Sequence, residues 1–170
     1  MVSTCAQTSP RGFKIIYQQE DMSCMSFPDD CFDLVLIINS ILSANDLLNR
    51  RMVKDCHRVL QTGGELHGFF PTIFMPLEIS TLCPSRLDWQ TDGTIDLYKN
   101  TFYEHGQKML QMFYSPLRLR HIFKEVGFKL KNFQVYFFDS DYFQKETERI
   151  YGILADSEVF IWEILATLEK

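Results

Sequence analysis

The chain has 170 residues, 46% of them hydrophobic and 23% charged, with 22 acids against 17 bases and a net charge of -5. That balance excludes a disordered polymer, and neither sign gathers into a block able to neutralise a run of phosphates or coat an anionic membrane. Neither nucleic acid nor a membrane is therefore expected as a partner. The five cysteines, Cys5, Cys24, Cys31, Cys56 and Cys83, form no C-x-x-C pair, which argues against a disulfide framework or a zinc site and for small apolar filler in a reducing compartment. The longest apolar run is Leu34 to Ile38, far short of a bilayer span. With no leader pattern at the amino terminus, the expectation is a cytoplasmic protein.

In chain order, Met1 to Thr8 carries Met1, Val2, Cys5 and Ala6 at near-helical spacing before Pro10 and Gly12, and reads as the tail of a helix. Phe13 to Gln18 is an apolar and aromatic strand that ends on the polar run Gln19-Glu20-Asp21-Met22. Phe32 to Ile38 is continuously apolar apart from Asp33, the pattern of a central strand buried on both faces of a parallel sheet. Ser43 with Asp46 three residues on predicts a helix start, and Leu48, Met52, Cys56, Val59 and Leu60 predict its buried stripe. Gly63-Gly64 should end that helix, with Glu65 to Phe70 as the next strand of a right-handed strand-helix-strand crossover.

From about 71 to 106 the periodicity fades in an aromatic-rich segment broken by Pro76, Pro84 and Gly93, an excursion expected to hold short helices. Ser115-Pro116 supplies an N-cap and a first-turn proline, Leu119, Ile122, Phe123 and Val126 supply a stripe, and Gly127 supplies the exit of a further helix. Phe133 to Phe138 reads as a strand and Gln144 to Leu154 as a helix. Val159 to Leu168 fits a strand or a continuing helix, its Val-Phe-Ile-Trp opening favouring the strand. No repeat or linker divides the chain, so residues 1–170 read as one domain.

Two motifs carry the most information: Phe27-Pro28-Asp29-Asp30-Cys31-Phe32-Asp33-Leu34-Val35-Leu36, and Arg58-Val59-Leu60-Gln61-Thr62-Gly63-Gly64-Glu65-Leu66. With Glu20-Asp21-Met22 before them, their order and spacing resemble the later part of a class I S-adenosylmethionine-dependent methyltransferase of the type 11-like group. The resemblance implies an α/β, Rossmann-like sheet, mostly parallel with helices on both faces. No G-x-G-x-x-G turn is present, so it also implies an N-terminally truncated domain that lacks the family's first strand-helix-strand unit.

By the same resemblance the cofactor is S-adenosylmethionine. Asp21 would accept the adenine amino group, the backbone of Met22 would meet the ring, and Asn39 and Ser40 would face the methionine portion. Asp33 would anchor a turn or backbone amides rather than do chemistry. The acceptor implied is a small molecule, because Asn39-Ser40-Ile41-Leu42 departs from the Asn-Pro-Pro-Tyr motif of enzymes acting on amide or base nitrogens. Gln61 and Thr62 replace the family's lysine and proline.

The residues name no catalytic group and no metal ligands; His105, in the irregular segment, is the one histidine entertained as a general base. A missing neighbour strand would leave a sheet edge open to homodimer formation. The alternative to an enzyme is a non-catalytic remnant or partner-binding pseudoenzyme.

Overall fold

In the computed structural model, residues 4–8, 14–74, 76–77, 95–104, 108–138, 145 and 161–170 are described. Strands β1 (Thr4–Thr8) and β2 (Lys14–Gln18) form an antiparallel pair. The first corrects the expected helix tail: spacing over so few residues cannot outweigh a strand partner. The central unit is a four-stranded sheet of β3 (Phe32–Ile38), β4 (Leu60–Pro71), β8 (Lys129–Phe138) and β9 (Ile161–Glu169), in the order β3-β4-β9-β8. A third sheet is formed by β5 (Ile95–Asp96), β6 (Thr101–Glu104) and β7 (Met109–Met112). Of the 71–106 excursion, residues 74, 76 and 77 are helical, as expected, while residues 95–104 form two short strands joined by a turn.

The expected crossover is present, as β3, helix α1 (Asp46–Val59) and β4, with β3 and β4 parallel. It is the only parallel pair among the described strands, so a mostly parallel sheet is not what they form: β9 runs antiparallel to both β4 and β8. Val159 to Leu168 resolves to the strand reading, over Ile161–Glu169. The helix expected over Gln144 to Leu154 lies outside the described residues except for Lys145.

Asn45, not Ser43, caps α1, its side chain accepting from the Leu47 and Leu48 amides. Ser43 is used otherwise: its backbone N–H donates to Asn49 Oδ1 and its carbonyl accepts from Asn49 Nδ2. That exchange satisfies a fully buried amide side chain. The buried face of α1 is accordingly Asn49, Val53, Cys56 and Val59, one position off the expected stripe at its first half. The helix stops at Val59, and Gly63-Gly64 lies inside β4. A Cβ on Gly64 would come within 2.9 Å of the Gln61 carbonyl and 3.1 Å of the Asp33 carbonyl, so the turn needs glycine there.

Helix α2 (Pro116–Val126) matches its sequence reading: Ser115 Oγ accepts from the Arg118 amide, proline opens the first turn, and Gly127 ends it at φ 109°. Leu119, Ile122 and Phe123 are buried. They join Val53 and Cys56 of α1 over Ile37, Leu66, Phe70, Ile164, Ala166 and Leu168, so both helices cover one face of the four-stranded sheet. Register puts Leu34, Leu36 and Ile38 on the opposite face, beside Glu65, His67 and Phe69. Those three are 46%, 67% and 70% exposed. β3 is therefore an outer strand of this sheet with an open face, not a strand buried on both sides.

Candidate functional site

The carboxyl ends of β3 and β4 are the part of this sheet where a crossover fold presents residues to a ligand. Asn39 follows β3 directly, at φ 46°, and its backbone N–H donates to the Phe69 carbonyl of β4. Ser40 is exposed and turns its hydroxyl back onto the Ile38 carbonyl, at 3.0 Å. The β5–β7 unit is fastened to the same end. Met112 N–H donates to the Leu42 carbonyl, Tyr114 N–H to the Pro71 carbonyl, and the buried Tyr114 hydroxyl to the Ile41 carbonyl at 2.9 Å. Residues 112–114 thus border the strand ends.

One site residue escapes the sequence reading. Glu163 of β9 is 7% exposed, pairs in register with Pro71 on β4 and Tyr136 on β8, and accepts a hydrogen bond from Asn39 Nδ2. Burial raises its carboxyl above the ordinary carboxylate range, and the Asn39 bond offsets part of that. The signal available in the sequence is a lone acid between Phe160-Ile161-Trp162 and Ile164-Leu165-Ala166.

Asp21 and Met22 lie in a separate network. Asp21 Oδ1 accepts from the Ser23 amide and hydroxyl at 2.8 and 2.7 Å, which lowers its pKa through the backbone bond first and the hydroxyl second. Met22 packs half-buried against the core. The loop that follows is tied to α1 by Arg58, which donates to the Met25 and Phe27 carbonyls and to Asp29 and Asp55, while Asp55 accepts from the Met25 amide. This gives the two sequence motifs a physical connection: the arginine of the second holds the loop of the first. Among the described residues no hydrogen bond joins Asp21 to Asn39, and the carboxylate of Asp33 accepts none, so no anchoring by that carboxylate is seen. A groove of about 270 Å³ is lined by Ser23 of the loop after Asp21 together with Arg51, Lys54, Asp55, His57 and Arg58 of α1 and Val126 of α2.

Among the described residues no group of three or more histidines, cysteines or acids comes together to hold a metal, and no helix is long and apolar enough to cross a membrane. Cys24 and Cys31 are exposed, which corrects their reading as filler; Cys56 is buried, and desolvation pushes its thiol up to about 12. His105 lies outside the described residues.

Residues 1–64 match a family model described as a methyltransferase domain. No curated protein sequence matches the chain. Among solved structures it is similar to an S-adenosylmethionine-dependent methyltransferase of Methanosarcina mazei, with a TM-score of 0.63 and 16% identity, over 89% of this chain and 65% of that one. It is also similar to the 1,6-didemethyltoxoflavin-N1-methyltransferase of Burkholderia thailandensis, solved with 1,6-didemethyltoxoflavin and S-adenosylhomocysteine bound, with a TM-score of 0.50 and 13% identity, over 88% of this chain and 48% of that one. A third similar structure is the [4+2]-cyclase SpnF, at a TM-score of 0.50 and 17% identity over 88% of this chain and 54% of that one. The chain thus spans about half to two thirds of the length of these structures. The resemblance read from the motifs stands, and the fold is that of the S-adenosylmethionine-dependent methyltransferases.

Proposed function

We propose, from a chain whose residues 1–64 match a methyltransferase domain and whose fold is that of the S-adenosylmethionine-dependent methyltransferases, that it binds S-adenosylmethionine and serves methyl transfer to a small-molecule acceptor. The observation that carries this reading is the position of Asn39 and Ser40 just past β3, beside the end of β4. Doubly wound sheets bind their ligands at such strand ends. The cofactor supplies an activated methyl group, so the protein's part is to hold donor and acceptor in line at about 3–3.5 Å. Asp21 suits the adenine end, because Ser23 occupies its Oδ1 and leaves Oδ2 to accept from an exocyclic amine. Met22 offers its backbone beside it. The small-molecule acceptor is supported by the ligand named in the Burkholderia structure. The cyclase neighbour is a reminder that one fold serves several chemistries. The setting we assign is the cytoplasm, in keeping with the free thiols of Cys24, Cys31 and Cys56.

The test is calorimetric titration of the chain with S-adenosylhomocysteine. Saturable binding that weakens about tenfold or more in Asp21→Ala, the loss of one charge-assisted hydrogen bond, supports the reading. Unchanged affinity in Asp21→Ala overturns the adenine assignment.

A second reading, of a chain that pairs with its own copy, rests on the open row Leu34, Leu36 and Ile38 along an outer strand. Light scattering should then report a dimer that Ile38→Lys converts to a monomer; a monomeric wild type excludes it.

A further inference from the structure

Asn39 and Glu163 meet at the strand ends from elements 124 residues apart, in a contact that does more than hold β9 to β3. An asparagine side chain has one acceptor and two donors, whereas a carboxylate only accepts. With Nδ2 on Glu163 Oε1, the amide cannot turn over without losing that bond, and Asn39 Oδ1 is left pointing away from it on an exposed residue. The second carboxylate oxygen is also available. Among the described residues, Glu163 Oε1 accepts from Asn39 and Oε2 accepts no hydrogen bond.

We infer that Glu163 is a positioning residue that fixes the Asn39 amide with its oxygen toward the ligand, making the end of β3 an acceptor-rich point that prefers a cationic group. The inference rests on the proposed cofactor role of Asn39. No described cation neutralises Glu163: its cross-strand neighbours are Pro71 on β4 and Tyr136 on β8, Asn39 faces it from β3, and His67 lies level with Thr167, further along β9. A carboxylate kept nine-tenths covered and without a cation gains most from a ligand that brings one. S-adenosylmethionine and S-adenosylhomocysteine share adenine, ribose and amino acid, its ammonium included, and differ in the methyl group and the positive charge it gives the sulfur. The pair therefore tests the preference at the sulfur.

The experiment measures both ligands by calorimetry on wild type and Glu163→Gln, and follows the Asn39 side-chain NH2 signals by NMR from pH 4 to 8, assigned with Asn39→Gly. Glutamine keeps the shape and an acceptor for Asn39, so far-ultraviolet circular dichroism should be unchanged. The expected result is that S-adenosylmethionine affinity falls about tenfold in Glu163→Gln while S-adenosylhomocysteine changes less than about twofold. The Asn39 NH2 signals should titrate with a midpoint above the ordinary carboxylate value, and Glu163→Gln should abolish that titration. Equal losses for both ligands, or Asn39 signals indifferent to Glu163→Gln, would overturn the inference. If neither ligand binds wild type while the Asn39 titration is present, the cofactor reading fails and the coupling of Glu163 to Asn39 is upheld.

Discussion

The two faces of the four-stranded sheet differ in what covers them. On one, Ile37 is 2% exposed under α1 and α2; on the other, its neighbour Ile38 is 70% exposed. Both are apolar, adjacent and in the same strand, so the difference comes from what lies above each face and not from residue type. Stability is thus concentrated on the helix-covered side. The candidate site sits at the end of the sheet, where β3 turns into Asn39 and β9 delivers Glu163.

If that division holds, the largest effect belongs to the covered face. Phe123 is fully buried, with its ring edge-on to Phe70 at 5.2 Å and to Phe128 at 6.3 Å. Phe123→Ala should cost about 3–5 kcal/mol in denaturant unfolding, the range for an aromatic removed from a packed core. A loss below about 1 kcal/mol would mean that the helices are not the main cover of the sheet. Next comes the segment bordering the strand ends. Tyr114→Phe removes the hydroxyl that donates to Ile41 and should cost about 1–3 kcal/mol, because a buried carbonyl loses its partner. If the change is neutral, the β5–β7 unit is not fastened there. The smallest effect belongs to the open face: Ile38→Ser should stay within about 0.5 kcal/mol. A loss above about 2 kcal/mol would show that something covers this face in solution.

Much of this architecture is legible in the sequence where local chemistry decides the outcome. Phe32 to Ile38 is a strand with the expected bounds, and the helix from Pro116 has its cap, first-turn proline and exit glycine where Ser115, Pro116 and Gly127 stand. The departures have physical causes. Ser43 and Asn45 can both cap, and the choice falls to Asn45 because the buried Asn49 side chain claims the backbone of Ser43. A continuous apolar run says that a strand is apolar, not how many of its faces are covered, so Leu36 and Ile38 read as core and stand open. Strand direction is invisible to hydrophobic pattern, so the mostly parallel sheet rests on the resemblance alone, and β9 departs from it by running against both its neighbours.

Of the candidate site, Asp21, Met22, Asn39 and Ser40 come from the family resemblance and not from spacing. Glu163 is silent until the fold brings residue 163 to residue 39. Its single clue is an acid set between the apolar pairs Ile161-Trp162 and Ile164-Leu165, which periodicity treats as noise.

The most direct test of a cofactor site at the strand ends is hydrogen exchange of the chain with and without S-adenosylhomocysteine. The account predicts added protection over residues 20–24 and 38–42, with the amides of α2 unchanged. Protection absent from both segments, or confined to residues 51–58 of α1 with none over residues 38–42, would contradict it.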